Sequence, residues 1–135
     1  MPKTHLVTCR LTSDSQSPRL LGNIARGTVR ERLGLEDGSE PLLRIQRTVE
    51  RATSALLERA RGERQELLLG VGIEASRVKV ELVVRRAAPT ELDLPDAWSP
   101  GLDDDVETEL TRYRRGARLE MILDTGWVPS KDRTR

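Results

Sequence analysis

The sequence predicts an α+β fold: a two-layer sandwich with helices on one face of a mostly antiparallel sheet, in the order β-α-α-β-β-α. Three observations lead there. Between Ser39 and Gly62, Leu42, Ile45, Val49, Ala52 and Leu56 recur at spacings of three and four, the period of one helix face. Between Arg77 and Arg86, Val78, Val80, Leu82 and Val84 alternate with Lys79, Glu81, Val83 and Arg85, the period of a strand with one wetter face. The short segment Glu74-Ala75-Ser76 joins that strand to the aliphatic run Gln65–Glu74 closely enough for an antiparallel hairpin. A helix with one apolar stripe and a sheet with one apolar face each need a cover, and they cover each other.

The elements follow in chain order. Thr4–Thr12 alternates, with Val7, Cys9 and Leu11 on one side, and reads as a half-buried strand. Ser17-Pro18 opens a helix whose inner side carries Leu20, Leu21, Ile24, Ala25, Val29 and Leu33, and Gly34 ends it. Gly22 and Gly27 weaken that helix, each by about 1 kcal/mol against alanine, so packing must hold it. The long helix spans 41–61, with Ser39 placed to accept from first-turn amides, Pro41 tolerated in the first turn, and Gly62 as the stop. Gly70 and Gly72 in the strand Gln65–Glu74 predict a bulge or a close backbone approach. Ala87–Gly101, with Pro89, Pro95, Pro100 and Trp98, reads as an extended loop. Asp103–Asp105 ahead of Val106, Leu110 and Tyr113, with Arg112, Arg114 and Arg115 following, has the charge order of a helix. Gly116 breaks it, and Leu119, Met121, Ile122 and Leu123 make a further helical segment. Trp127-Val128-Pro129 begins a strand. Residues 1–129 then form a single domain, and 130–135 a charged, frayed tail.

Composition narrows the function classes. There is no Phe, and Trp98, Trp127 and Tyr113 are the only aromatics, too few for a protein that stacks bases. Lys and Arg total 23 against 22 Asp and Glu, so no global field recruits nucleic acid or an anionic membrane. The apolar run Leu67–Ile73 is too short to cross a bilayer. Cys9 is the single cysteine and His5 the single histidine, which together cannot build an ordinary zinc site. These features predict a cytoplasmic protein that binds neither nucleic acid nor membrane directly.

The run Val49-Glu50-Arg51-Ala52-Thr53-Ser54-Ala55 resembles the first nucleotide box of the GHKL (histidine-kinase-type) ATPases, in particular the anti-sigma factor serine kinases of bacterial partner-switching systems. In that family the box reads E-A-x-T-N-A; its Glu activates an attacking hydroxyl and its Asn ligates Mg²⁺. The order also matches: a strand, a helix ending in an L-G-L-like turn (here Leu33-Gly34-Leu35), the box helix, a hairpin, a lid, and a G-x-G-L helix near a Trp. Glu50 matches the family Glu, and Ser54 stands where the Asn should be, a poorer Mg²⁺ ligand. The D-x-G-x-G box falls near Val84, Arg86 and Ala88, without its adenine acceptor. The phosphate box falls on Gly116-Ala117-Arg118-Leu119, which keeps one glycine and places an arginine at the second.

The resemblance therefore implies a non-catalytic regulator with a lost ATP site and no cofactor. It would bind a protein partner such as a sigma factor or a partner-switching regulator, and it would form a homodimer. Glu50 and Ser54 are the vestigial catalytic and metal positions. Arg115 and Arg118 are candidates for phosphate or an acidic partner. Arg19, Arg26 and Arg30 on the first helix, and Trp98 in the loop, are candidates for partner binding, with Trp98 alternatively a cap on the core. The other enzyme-class reading is a divergent protein serine kinase using ATP and Mg²⁺ through Glu50 and Ser54.

Overall fold

The computed structural model describes residues 4–12, 16–59, 65–86, 94, 98–113 and 116–126. Its elements run β1 (Thr4–Thr12), α1 (Ser17–Leu33), α2 (Glu40–Glu58), β2 (Gln65–Glu74), β3 (Arg77–Arg86), β4 (Glu107–Tyr113) and β5 (Gly116–Asp124). Among the described residues the strands form one five-stranded sheet in the spatial order β1-β2-β3-β5-β4. Every neighbouring pair is antiparallel. The α+β sandwich read from the sequence is the architecture found, with α1 against β2 and α2 against β3.

Register explains the core. Leu69, Leu82 and Leu119 share one cross-strand row, and Val71, Val80 and Met121 the next but one, all fully buried. From the helix layer, Leu21, Ala25, Val29 and Leu33 of α1 and Leu42, Ile45, Val49, Ala52 and Leu56 of α2 close over these rows. Every position of the α2 stripe is thus buried. On α1 the buried stripe is the strict i, i+4 series, whereas Leu20 is 47% exposed, contrary to its expected inward placement. The irregularity expected around Gly70 and Gly72 lies across from them, between His5 and Val7 of β1, where the register shifts opposite Gly72 and Val71.

The helix ends differ from expectation in part. Gly34 does terminate α1 in a left-handed conformation (φ 68°), its N–H donating to the Arg30 carbonyl. At the start of α2, the Ser39 hydroxyl makes no capping bond and is buried without a partner among the described residues. The backbone N–H of Leu43 bonds the Ser39 carbonyl instead, at 3.1 Å. The helix closes at Glu58, earlier than expected, and Gly62 lies outside the described residues.

The C-terminal third corrects the predicted element order. The segment expected to be a helix after Asp103–Asp105 is the edge strand β4, and the expected helical segment 119–123 lies in β5. The order is therefore β-α-α-β-β-β-β. Two periodicities compete in this stretch. Ala117, Leu119, Met121 and Leu123 are buried and alternate with Arg118, Glu120 and Ile122, a period of two that the helical reading passed over. Pairing with β3 on one side and β4 on the other settles the contest, because only an extended chain can satisfy both ladders. The acidic run belongs to the turn before β4: Arg44 of α2 pairs with Asp105, and Arg51 lies 3.5 Å from Asp103.

Between β3 and β4, described residues also join the core. Leu94 and Val106 are buried there, and Trp98 and Leu102 are half-buried against the core. The β5 end is tied to the β2–β3 turn, where the N–H and hydroxyl of Thr125 both donate to the Ser76 carbonyl at 2.9 and 2.8 Å. That turn forms with Ala75 at φ 55°, without an Asn-Gly pair.

Gly22 and Gly27 make opposite predictions from one helix. A methyl group at Gly22 would sit 2.7 Å from Glu50 Cγ and 2.9 Å from the Gln46 carbonyl oxygen, so it would push the helices apart. Overpacking of this kind costs about 1–3 kcal/mol, which exceeds the gain in helix propensity of about 1 kcal/mol. At Gly27 a methyl group meets nothing within 4 Å. Urea denaturation should find Gly22→Ala destabilised and Gly27→Ala stabilised by about 0.5–1 kcal/mol.

Candidate functional site

Glu50 lies on α2 where α1 crosses it at Gly22. The Gln46 amide donates to Glu50 Oε2 at 2.9 Å and to Asn23 Oδ1 at 3.0 Å. Arg26 donates to Gln46 Oε1 at 2.7 Å and to Asp37 Oδ1 at 3.0 Å. Glu50 is thus one member of a polar seam stitching α1 to α2. A base that must take a proton from a hydroxyl needs that hydroxyl within hydrogen-bond reach; here a helix-side amide holds the carboxylate. Ser54, one turn on, is exposed.

The second and third boxes fare no better. Val84 is fully buried in the core, Arg86 closes β3 opposite Gln65, and Ala88 lies outside the described residues. Gly116 opens a strand, not a helix, and pairs with Arg85 on one side and Tyr113 on the other. Its lack of a side chain answers a packing need, since a Cβ there would overlap the Val84 carbonyl oxygen. A phosphate cradle needs amides aimed into open space at a helix start; this glycine is inside a β-sheet. Arg118 points to the outer face, where its Nε donates to Glu81 at 3.2 Å and its Nη2 lies 3.2 Å from Glu120. The hydrogen bond that it donates to Glu81, together with the negative charges of Glu81 and Glu120, raises its pKa above the ordinary arginine value, against the opposing effect of burial. It is satisfied by acids, on the opposite side of the sheet from the helices. Arg115 lies outside the described residues.

Of the partner-binding candidates, Arg19 and Arg30 are exposed on α1, and Arg26 is half-buried in the seam with Gln46 and Asp37. Trp98 is half-buried and packs on the core, so the capping alternative describes its position. The structure does not bring these residues together with Arg118 in one site.

What sequence reasoning missed is the outer face of the sheet. Register sets Glu81, Glu120 and Glu109 in one row across β3, β5 and β4, which runs on through Gly70 of β2 to Thr8 of β1. The neighbouring row holds Gly72, Lys79, Ile122 and Glu107. Lys79 pairs with Glu120, and Arg77 reaches Glu107 at 2.6 Å. Between the rows, at the β4 edge, lies a recess of about 300 Å³ lined by Lys79, Glu107, Thr108, Glu109, Glu120 and Ile122. A second recess of about 120 Å³ continues it toward Gly72 and Glu74. The signal was present in the alternation of β3 and β5, but the row exists only once β5 and β4 are recognised as strands.

Among the described residues, no group of three or more His, Cys, Asp or Glu is placed to hold a metal, and no helix is long and apolar enough to cross a membrane. No protein-family model matches this chain, and no curated protein matches it.

Proposed function

We propose that this chain is a non-catalytic regulator that works by binding a partner protein: a degenerate GHKL-type domain akin to the anti-sigma factor serine kinases, without an ATP site. Gly116 carries the reading. The one glycine that the resemblance keeps in the phosphate box is spent on close packing against Val84, so nothing remains to cradle a triphosphate. The kinase alternative also needs Glu50 free to meet a hydroxyl, and Gln46 and α1 hold it. The partner is a sigma factor or another member of a partner-switching circuit, met in the cytoplasm by a homodimer of this chain.

Support is the order of the first elements: a strand, a helix closed by Gly34, the box helix, and a hairpin. Removing the nucleotide leaves a sandwich with exposed surface on α1, around Arg19 and Arg30, and along β4. The test is affinity purification of the tagged full chain from its own cells, with retained proteins identified by mass spectrometry. A sigma factor or partner-switching regulator should be retained equally by wild type and Glu50→Gln, with or without ATP. Recovery that requires ATP, or no regulator at all, overturns the reading.

A further inference from the structure

The surface that takes the partner can be narrowed, on the premise that the chain is a binding protein. β4 ends the sheet: β5 pairs with one of its sides, and among the described residues no strand pairs with the other. An open edge of this kind presents a row of backbone donors and acceptors that another extended chain can complete. Glu107, Thr108, Glu109, Arg112 and Tyr113 are all exposed along it.

The side chains along this edge are not neutral about what could pair there. Glu107 and Glu109 stand two apart on the outer face, at the mouth of the recess of about 300 Å³. That volume is at the lower end of ligand-pocket sizes, about 300–1,000 Å³. Its lining holds three carboxylates, Glu107, Glu109 and Glu120, against one amine, Lys79. Lys79 and Arg118 are both engaged with Glu120, and Arg77 with Glu107. Glu109 has no ion-pair partner among the described residues. The Ile122 side chain adds an aliphatic wall suited to the methylene stem of a lysine or arginine. On the inner face of the same edge, Leu110 is half-buried against the core, as are Trp98 and Leu102. A strand added here would therefore meet Glu107 and Glu109 on the outer side and, on the inner side, Leu110 between Thr108 and Arg112, the last with its guanidinium bonded to the Leu94 carbonyl.

We infer that the partner docks an extended segment of alternating cationic and aliphatic residues onto β4 as a sixth strand, with a cationic side chain in the Glu107–Glu109–Glu120 recess. Charge complementarity selects the occupant. An acidic segment would face Glu107 and Glu109 directly, and a second copy of β4 would bring the same two glutamates to the joint.

The test uses the full chain, ¹⁵N-labelled, titrated with a synthetic peptide of alternating lysine and valine matched to the seven residues of β4. Amide shifts should concentrate at 107–113 and at Lys79, and the β4 amides should gain protection from hydrogen exchange. A glutamate–valine peptide should leave them unmoved. Glu109→Lys combined with Glu107→Lys should weaken binding about tenfold or more, since two exposed attractions become repulsions. The more conservative Glu109→Gln should give a smaller loss at unchanged melting temperature, and Arg19→Glu with Arg30→Glu on α1 should leave the lysine peptide's affinity unchanged. Shifts mapping elsewhere, equal binding of both peptides, or concentration-dependent self-association through β4 in place of peptide binding would each overturn the inference. If the regulator is still retained by the Glu107→Lys, Glu109→Lys chain, this surface is wrong and the regulatory reading stands. If no regulator is retained by wild type, the regulatory reading itself fails.

Discussion

Replacing Gly116 with alanine is expected to lower the unfolding free energy by about 3 kcal/mol, the upper part of the range for overpacked sites. The added Cβ would overlap the Val84 carbonyl oxygen, and the backbone of Arg85 is also close. Main chain cannot swing aside as the end of a flexible side chain can. Either β5 moves off β3 at the Arg85–Gly116 pair, or the start of the strand frays. Both routes open the β5 ladder next to Ala117 and Val84, which are fully buried. Urea denaturation of the purified chain checks this directly. The outcome also bears on function, because a glycine in an open phosphate loop would accept a methyl group with little change in stability. A loss below about 0.5 kcal/mol, the usual scale of a surface change, would mean that Gly116 is not packed against β3.

Leu82→Ala is expected to be more severe, at about 4 kcal/mol. Leu82 is fully buried in β3, the middle strand of the five, with Leu69 and Leu119 as its cross-strand neighbours. The helix layer above and the paired strands beside it leave the site little freedom to collapse, so the lost transfer energy and the remaining cavity both count. Natural domains have about 5–15 kcal/mol in total, so the variant keeps only part of its stability, and its melting temperature should fall by roughly 12–15 °C. Leu20→Ala supplies the contrast: the same change at a residue 47% exposed should stay within about 0.5 kcal/mol. Equal effects at the two positions would contradict the burial pattern described for α1 and β3.

The legible parts of this chain are those where a single periodicity runs without competition. α2 declares itself because its stripe has no rival pattern and its neighbours are charged. β3 does so because Val78, Val80, Leu82 and Val84 alternate along it, and β2 because its aliphatic run is joined to β3 by a short turn. The stretch after Asp103 carries two signals at once. Its acid-to-base charge order suits a helix dipole, while the alternation of Ala117, Leu119, Met121 and Leu123 suits a strand. Local preference could not choose between them. The decision came from β3, whose remaining edge needed a partner, and from Gly116, the residue small enough to lie against Val84. Capping chemistry misled for a related reason: Ser39 has the right identity and the right place, but its hydroxyl is turned into protein without a bond. The outer-face recess was illegible because it is assembled from β3, β5 and β4, and no single segment carries it. Glu50 matched a motif at one position, and its meaning changed once Gly22 brought α1 against it.

Under the proposed function the sandwich has no working nucleotide site, and isothermal titration calorimetry of the full chain with ATP and ADP, with and without Mg²⁺, decides the matter. No heat beyond dilution is expected at millimolar nucleotide in either condition. Saturable, Mg²⁺-dependent binding, lost in Glu50→Gln, would contradict it and point to a divergent kinase.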